Sequence, residues 1–431
     1  MGGTVRMSMR KGSTKARNGI VATLDLGTTK TTCLIARVDG GVPRVTGIGM
    51  IGSKGIKAGT IADIDAAEKN ILSAVQAAEQ MAGETIQGVI VSMTGGNLSS
   101  RVAQHELSID SHEISDADVR RVLEAGRQNM EPTDRTMLHT IPVGFTIDGS
   151  RGIRDPRGMY GQRLGVNMHV VSASTSALKT LAMVIARCHL ELDGVVAAPY
   201  AAGMSVLVPD EREMGCTLID LGGGVTTMAV FFDGKLVFTD SVPIGGGHVT
   251  TDIARGLSTP LAHAERMKTL YGAALVASAD EREIIEVPLV GEDDRLTAHH
   301  IPKSILTGII QPRLEETFEL VRSRLEASGL DKIAGRRAVL SGGASQLSGV
   351  RDLAAHILDK QVRVGKPQGF HGLPVDFAGP AYATCTGLIA HALQPTSEPA
   401  KGGRKTSAVA PTGMIGRLGL WLKENFLSSI I

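Results

Sequence analysis

The sequence predicts an α/β protein that contains a duplicated domain and a smaller inserted α+β unit, and three observations support this prediction. The chain has 431 residues, enough for roughly two to four domains at about 100–200 residues each. Glycine is frequent, with 52 residues, while aromatic residues make up only 3%, which suits a protein with many tight turns. A short motif also occurs twice, once near the N-terminus and once in the middle of the chain.

The repeated motif has the pattern D-L-G-x-x-x-T-T. Its first copy runs from Asp25 to Thr32, and its second copy runs from Asp220 to Thr227. Each copy lies between two apolar segments, so each predicts a strand, a tight glycine turn and a second strand. One copy alone is a weak signal because such turns are common, but two matching copies indicate a duplicated domain.

Hydrophobic spacing predicts the remaining elements in order. A helix is expected over 64–81 and a buried strand over 88–93. Between 95 and 169, strand-like runs alternate with a helix whose start at Ser115 and Asp118 resembles a capping box, which predicts the inserted α+β unit. Further helices are expected over 174–190, 201–208, 252–256, 260–271, 305–327 and 381–393, and further strands over 194–198, 281–292 and 338–340.

Composition argues against several classes of protein. With 45 basic and 44 acidic residues and a net charge of +1, binding to nucleic acid as a polycation is not expected. The four cysteines are scattered, which indicates neither a disulfide framework nor a zinc site and favours a reducing cytoplasm. The sequence contains no apolar run of about 18 residues, so no transmembrane helix is predicted. Residues 1–18 predict a disordered basic tail rather than a secretory signal.

The end of the chain differs from the rest. Residues 394–413 are rich in Pro, Ser, Thr, Gly and Lys and predict a flexible linker. Residues 414–431 predict a basic amphipathic helix, which on a tether is typical of an interfacial membrane anchor. The alternative is a helix that docks on its own domain. The residues expected to contact the membrane are Ile415, Leu418, Trp421, Leu422, Lys423 and Phe426.

The two glycine turns suit a polyphosphate. Glycine allows several backbone N–H groups to converge on phosphate oxygens, and Lys30 adds a positive charge beside the first turn. Asp25 and Asp220 end their strands at the turns, where carboxylates could hold Mg²⁺ through water. Residues 245–248 are a further glycine-rich cluster, which is either a nucleotide contact or an ordinary loop between a strand and a helix. Residues 341–344 follow a strand and precede a helix-like stretch, and this placement makes them a candidate contact to adenosine or phosphate.

Taken together, these motifs resemble the FtsA family of bacterial cell-division proteins, within the actin, DnaK and sugar-kinase ATPase superfamily. The matching stretches are VSMTGGNL (91–98), DPRGMYGQRLGVNMHVV (155–171), VPIGGGHVTTDIA (242–254), AERMKTLYG (264–272), IIQPRLEE (309–316), VLSGGASQLSGV (339–350), VRVGKP (362–367) and GRLGLWLKENF (416–426). The resemblance covers residues 20–393 and the terminal segment, and it implies an actin-like duplicated ATPase fold.

The resemblance also implies domain boundaries. Domain I would comprise 19–94 and 171–209, with 95–170 as an inserted subdomain that replaces the usual actin subdomain. Domain II would comprise 210–393, and its part from about 255 to 335 would bind FtsZ.

The function implied by the resemblance is that of an ATP-binding protein at the division septum, on the cytoplasmic face of the inner membrane. It would polymerise with copies of itself, bind the C-terminal tail of FtsZ, attach to anionic lipids and recruit later division proteins. Arg313, within 305–325, would contact FtsZ, and Asp25 and Asp220 would hold Mg²⁺. The residues implied to contact nucleotide are Asp25, Gly27, Thr28, Thr29, Lys30, Asp220, Gly222, Gly223, Gly224, Val225, Thr226, Gly245, Gly246, Glu265, Lys268, Gly342 and Gly343.

One departure from hydrolytic relatives predicts slow ATP turnover. Residues 195–203 offer neither an acid nor an amide that could orient an attacking water. Two alternatives remain open, a small-molecule kinase of the sugar-kinase branch and another actin-like scaffold of the MreB or PilM type. The terminal helix argues against the first, and residues 155–169 together with the position of the terminal helix argue against the second. Glu265 and Lys268 could also be an ordinary surface ion pair.

Overall fold

The structure is a computed structural model that describes residues 19–128, 134–291 and 299–394. The predicted basic tail over 1–18 and the predicted terminal helix over 414–431 lie outside the described residues, as does the predicted linker beyond residue 394. None of the described helices is both long enough and apolar enough to cross a membrane.

The first half begins with the first predicted hairpin. Its elements up to residue 93 are β1 (Gly19–Leu26), β2 (Lys30–Asp39), β3 (Val42–Gly52), β4 (Ile56–Lys57), β5 (Thr60–Ile61), α1 (Ile64–Ala82) and β6 (Gly88–Met93). β1 and β2 are antiparallel, with Asp25 opposite Thr32. β6 lies parallel to β1 on its other side. The helix and strand predicted over 64–81 and 88–93 are therefore confirmed.

The inserted α+β unit is also confirmed. Its elements are β7 (Ser99–Ser108), α2 (Asp116–Gln128), β8 (Arg135–Ile147), β9 (Ser150–Ile153) and β10 (Arg163–Ser174). The strands form a separate sheet in the order β7-β10-β8-β9. The start of α2 shows the predicted capping box, because Asp118 Oδ2 accepts from the Ser115 N–H at 3.0 Å and the Ser115 Oγ accepts from the Asp118 N–H at 3.4 Å.

Four elements complete the first half: α3 (Thr175–Arg187), β11 (Glu191–Ala197), α4 (Ala198–Val206) and α5 (Pro209–Met214). β11 pairs in parallel with β6, which gives a five-stranded sheet in the order β11-β6-β1-β2-β3. The sequence prediction placed the start of α4 at residue 201, but the helix begins at Ala198. Pro199 lies in its first turn, where the missing N–H would have had no partner within the helix.

The second half repeats this plan. Its elements are β12 (Cys216–Leu221), β13 (Thr226–Phe232), β14 (Lys235–Val242), α6 (Gly246–Gly256), α7 (Leu261–Tyr271), β15 (Ile284–Val287), β16 (His299–Pro302), α8 (Lys303–Ala327), β17 (Arg337–Ser341), α9 (Val350–Leu358), β18 (Gln361–Val364) and α10 (Ala383–Leu393), with 3-10 turns at Gly343–Gln346, Val375–Phe377 and Pro380–Tyr382. The main sheet has the order β14-β13-β12-β17-β18. Asp220 lies opposite Thr227, the same register that Asp25 has in the first hairpin.

The two halves meet along α4 and α10. Gly387 on α10 lies so close to α4 that a Cβ atom there would be 1.8 Å from the carbonyl oxygen of Ala201. Any larger residue at this position would push the helices apart. The structure therefore confirms a duplicated α/β fold with an inserted α+β subdomain, and its two hairpins occupy equivalent places in the two main sheets.

Candidate functional site

The two repeated turns have the same geometry. In the first, the Gly27 N–H donates to the carbonyl oxygen of Lys30 at 3.1 Å, and in the second the Gly222 N–H donates to that of Val225 at 3.1 Å. A Cβ atom at either glycine would lie 2.7 Å from the same carbonyl oxygen. Glycine is therefore required at the third position of the motif in both copies, for the same steric reason.

The aspartates of the two motifs also have matching partners. Asp25 Oδ1 accepts from the Ser92 hydroxyl at 2.6 Å, and Asp220 Oδ1 accepts from the Ser341 hydroxyl at 2.8 Å. Both serines lie on the strand that runs parallel to the first hairpin strand, on β6 and β17. Each half thus presents a carboxylate at the end of a central strand, held by a serine from the neighbouring strand.

Burial raises the pKa of both carboxyl groups. For Asp220, burial is the main cause and the nearby charge of Asp25 adds to it, so that its pKa rises to about 6. The pKa of Asp25 is raised by burial and is lowered in part by the Ser92 hydroxyl and by Lys30. A bound cation would favour the ionised form of both groups. The pair therefore fits a divalent cation such as Mg²⁺, which prefers oxygen ligands.

The turns lie against each other and together line one cleft of about 620 Å³. A Cβ atom at Gly223 would lie 2.4 Å from Thr29 Cγ2, and one at Gly224 would lie 2.7 Å from Thr28 Oγ1. The sequence-predicted residues that line the cleft are Asp25, Gly27, Thr28, Thr29, Lys30, Asp220, Gly222, Gly223, Gly224, Val225, Gly246, Glu265, Lys268, Gly342 and Gly343. The structure thus brings residues from both motif copies to one place.

Two of the predicted nucleotide contacts do not line the cleft. The Thr226 hydroxyl donates to the carbonyl oxygen of Ile244 at 2.8 Å, and the Gly245 N–H donates to His248 Nδ1 at 3.1 Å. Both groups therefore form hydrogen bonds with residues of the second half that do not line the cleft.

The glycines around residue 246 begin a helix rather than form a loop. The prediction placed this helix at 252–256, but α6 begins at Gly246. The N–H groups of Gly246 and Gly247 donate to the carbonyl oxygens of Gly222 at 2.9 Å and Gly223 at 2.7 Å. The first donors of α6 thus find partners in the second turn and hold it in place.

Glu265 and Lys268 form more than a surface ion pair. The Lys268 side chain is only 11% exposed. Its Nζ donates to Glu265 Oε2 at 2.7 Å, to Thr250 Oγ1 at 2.8 Å and to the carbonyl oxygen of Gly246 at 2.9 Å. The lysine therefore joins α7 to the first turn of α6 at the edge of the cleft.

Lys30 is the basic side chain of the first turn. Burial lowers its pKa, and the charges of Asp25 and Asp220 raise it in part. Its Nζ lies 3.5 Å from the centroid of the Tyr382 ring, a cation–π contact. The amine is thus held at the cleft by an aromatic residue that sequence reasoning did not single out.

Sequence reasoning missed several residues that line the cleft. They are Gly59, Thr94, Gly247, Thr269, Leu270, Gly272, Ala344, Gln346, Leu347, Ser348, Pro380, Ala381 and Thr384. Most of those in the second half lie in stretches quoted above, with 247 in 242–254, 269–272 in 264–272 and 344–348 in 339–350. Pro380, Ala381 and Thr384 lie in none of them. Gly59 belongs to no motif, whereas Thr94 lies in the matched stretch 91–98 but was not assigned to the site. Only the fold brings both residues to the cleft.

The other predicted contacts lie elsewhere. Arg313 is on α8, where its Nε donates to Asp252 Oδ2 at 2.6 Å and its Nη1 contacts Glu316. Its side chain remains partly exposed, at 28%. The predicted membrane-contacting residues from Ile415 to Phe426 lie outside the described residues.

Comparison with family models gives two matches. The family described as Cell division protein FtsA matches residues 217–387. The family described as the SHS2 domain inserted in FtsA matches residues 95–172. The second match coincides with the inserted α+β unit.

Solved structures share the fold at low sequence identity. A chain of the PilM–PilN type IV pilus biogenesis complex covers 87% of this chain and 99% of its own length, with a TM-score of 0.61 and 16% identity. MreB5 of Spiroplasma citri bound to ADP covers 85% of this chain and 94% of its own length, with a TM-score of 0.51 and 14% identity. The fold is therefore actin-like.

Relatives named Cell division protein FtsA align over nearly the whole chain. The protein of Agrobacterium fabrum is 45% identical over 95% of this chain and 96% of its own length. Those of Pseudomonas aeruginosa and Escherichia coli are 34% and 30% identical, each over 94% of this chain and 98% of its own length. This agreement sets aside the kinase and the MreB or PilM alternatives, and the chain belongs to the FtsA family of cell division proteins.

Proposed function

We propose that this chain is an ATP-binding scaffold of cell division that links the FtsZ ring to the inner membrane. It binds ATP with Mg²⁺ between its two glycine turns, forms actin-like filaments with copies of itself and recruits later division proteins. It acts at the septum, on the cytoplasmic face of the membrane. The observation that supports this best is that both turns and both aspartates line one cleft.

The cleft offers different chemistry at its two sides. The turns supply glycine backbone, the Thr28 and Thr29 side chains and the Lys30 amine, which suit phosphate oxygens. The second half supplies Gly342, Gly343 and the helix α7, which suit the nucleoside. MreB5 of Spiroplasma citri, a structural relative, is described as bound to ADP, which supports a nucleotide as the ligand.

Asp25 and Asp220 are the proposed Mg²⁺ residues. Two carboxylates are fewer ligands than Mg²⁺ takes, so phosphate oxygens and water would supply the others. The cation would neutralise two carboxyl groups that burial makes costly to ionise. If bound, it would supply a positive charge beside the phosphates, held by Asp25 and Asp220.

We further propose that hydrolysis is slow. The acidic and amide side chains that line the cleft are Asp25, Asp220, Glu265 and Gln346. The two aspartates are assigned to the cation, and Glu265 is bonded to Lys268. The Gln346 amide donates to the carbonyl oxygen of Gly343 at 3.3 Å, on the side of the cleft proposed for the nucleoside. A nucleotide held without a group that orients water is suited to switching between bound states rather than to rapid turnover.

The membrane and FtsZ contacts of the proposal rest on the sequence. The amphipathic pattern over 414–431 suits reversible attachment to anionic lipids, and filaments would multiply the number of anchors. For FtsZ, α8 with Arg313 is the proposed surface. Since Arg313 already pairs with Asp252 and Glu316, an FtsZ carboxylate would exchange with these partners.

Calorimetric titration of the full chain with ATP, with and without Mg²⁺, tests the nucleotide proposal. We expect Mg²⁺ to tighten ATP binding to the natural chain but not to the double variant Asp25→Asn with Asp220→Asn. Asp210→Asn, an exposed change outside the cleft, is the matched control and should bind as the natural chain does. A folded natural chain that binds no ATP would refute the proposal.

Co-sedimentation with vesicles that contain anionic lipids tests the membrane proposal. The full chain should sediment with the vesicles, and a chain that ends at Gly413 should remain in solution. Equal sedimentation of both chains would show that the terminal segment is not the anchor.

A further inference from the structure

We propose that Gly59 and Thr94 form a third phosphate-contacting segment of the cleft, which binds the terminal phosphate of a nucleoside triphosphate. This inference rests on the proposed function, because it assumes that the cleft binds ATP. Both residues line the same cleft as the two glycine turns, but neither belongs to a turn. They therefore supply contacts beyond those that the repeated motif provides.

Gly59 lies at the tip of a short strap, residues 55–61, formed by β4 and β5. The backbone is left-handed at Gly59, with φ of +69°, and a Cβ atom there would lie 2.8 Å from both the Gly95 nitrogen and Thr94 Cβ. The Gly59 carbonyl oxygen accepts from the Gly95 N–H at 3.1 Å. The strap tip and the loop that carries Thr94 are thus bonded together, and glycine is required at their contact.

The strap tip also reaches both glycine turns. The Gly59 N–H donates to Thr28 Oγ1 at 3.2 Å, so it is directed toward the first turn. In the second turn, a Cβ atom at Gly224 would lie 3.2 Å from Ala58 Cα and 2.7 Å from Thr28 Oγ1. Three segments of the chain therefore converge on one point of the cleft wall.

Thr94 occupies the place in the first half that Gly343 occupies in the second. Ser92 and Ser341 bond the two aspartates in the same way, and Thr94 and Gly343 each follow two residues later. Unlike glycine, Thr94 brings a hydroxyl group, which has no hydrogen-bond partner among residues 19–128, 134–291 and 299–394. A half-buried donor without a partner at a cleft wall is available to a ligand.

The position of these donors points to the last phosphate. The residues proposed for the nucleoside belong to the second half, whereas Gly59 and Thr94 belong to the first. A nucleotide whose base lies against the second half extends its phosphates past the turns toward the strap. The terminal phosphate would then replace Thr28 Oγ1 as the acceptor of the Gly59 N–H and would also accept from the Thr94 hydroxyl. A diphosphate would be too short to make these contacts.

The variant Thr94→Val tests this inference, because valine keeps the shape of threonine and removes the hydroxyl. Calorimetric titration of the full chain with Mg²⁺ should show ATP binding weakened about tenfold, the size expected for a lost hydrogen bond to a charged group. ADP binding should change less than about twofold, since no ADP oxygen reaches Thr94. Thr94→Ser restores the hydroxyl and should restore ATP binding.

Thr180→Val is the matched control, because it makes the same substitution on α3 at a residue that does not line the cleft. It should leave the affinities for ATP and ADP unchanged. Equal losses of ATP and ADP affinity in Thr94→Val, or no loss of either, would overturn the inference. A natural chain that binds neither nucleotide would instead refute the proposed function, so the two failures are distinguishable.

Discussion

The two hairpins share one backbone design but differ in what they present to the cleft. The closing hydrogen bond, the strand register and the serine bonded to the aspartate are the same in both. At the three positions after the glycine, however, the first turn carries Thr28, Thr29 and Lys30, whereas the second carries two glycines and Val225. The first turn is rich in side-chain donors, and the second offers bare backbone.

This difference indicates that the two copies of the motif have different roles at the cleft. The first turn has hydroxyl groups and an amine for a ligand, and Lys30 is held by an aromatic ring. The second turn has no such groups, and the first amides of α6 hold its backbone in place. The side chains of the first turn also fit against the glycines of the second, at Gly223 and Gly224. Larger residues on both sides would keep the turns apart.

The largest effect on stability is expected at the residue that follows the serine bonded to each aspartate, because the two halves differ at this position. Met93 follows Ser92 in the first half, and Gly342 follows Ser341 in the second. Gly342 has φ of +84°, and a Cβ atom there would lie 2.4 Å from the carbonyl oxygen of Leu221. Gly342→Ala should therefore lower the free energy of unfolding by about 3 kcal/mol or more, from backbone strain and overlap together.

Urea unfolding of Gly342→Ala and of the neighbouring variant Gly343→Ala measures this effect. Within the part of the chain that the structure describes, no atom lies within 4 Å of a Cβ built at Gly343. That control should therefore change the free energy of unfolding by less than about 1 kcal/mol. Similar losses in both variants would show that the loop does not depend on close approach at Gly342.

The next effect concerns Asp220, where one substitution should raise the stability of the folded chain and weaken the effect of Mg²⁺ on ATP binding. The pKa of Asp220 in the folded chain is about 6, while in the unfolded chain it is near 4. As the pH rises through this window, the unfolded chain releases a proton that the folded chain retains, so this group lowers the stability of the folded state. At neutral pH, Asp220→Asn should therefore raise the free energy of unfolding, by up to about 3 kcal/mol without ligand.

Urea unfolding at pH 4 and at pH 7.5, in the natural chain and in Asp220→Asn, tests the sign. The variant should gain stability at the higher pH and little at the lower, while losing the effect of Mg²⁺ on ATP binding. An equal change at both pH values would show that the ionisation of Asp220 is not responsible.

The features of this fold differ in how well they can be predicted from the sequence. The hairpins could be predicted because every residue from Asp25 to Thr32 has a counterpart in the second copy, and the alternation of apolar segments is local. The helix of the inserted unit could also be predicted from a local pattern, because the capping box from Ser115 to Asp118 spans only four residues. Local patterns thus gave the fold and most of the cleft.

Other features depend on contacts between distant segments. The start of α6 at Gly246 was missed because its first amides bond the turn at residues 222–223 rather than a capping side chain nearby. Gly59 reaches the cleft only because a two-strand strap folds over the first turn. Thr94 could have been found by extending the duplication from the turns to the parallel strands, since Ser92 and Ser341 match.

A smaller effect is expected when the first turn is made more like the second. Lys30 in the first turn corresponds to Val225 in the second. Lys30→Val should weaken ATP binding about tenfold or more, because a charged donor to phosphate is lost. Stability should not fall, since the variant removes an amine whose pKa burial lowers. Calorimetric titration and thermal unfolding of the same samples measure both results.

The control for this comparison is Val225→Ala, which trims the second turn without changing charge. It should leave ATP affinity within about threefold of the natural chain. Equal losses of affinity in Lys30→Val and Val225→Ala would show that the turns contribute through shape alone. The proposed division between a donor-rich turn and a backbone turn would then be wrong.

The smallest effect concerns the feature that the halves share most closely, the serine bonded to each aspartate. Ser92→Ala and Ser341→Ala each remove a hydrogen bond to a buried carboxylate, and each should lower the free energy of unfolding by about 1–2 kcal/mol. Ser92 also accepts from the Leu26 N–H at 3.3 Å, so its loss should cost slightly more. Urea unfolding at neutral pH should therefore rank the variants in that order. A large loss in one variant and none in the other would show that the two aspartates are not supported equivalently, despite their matching geometry.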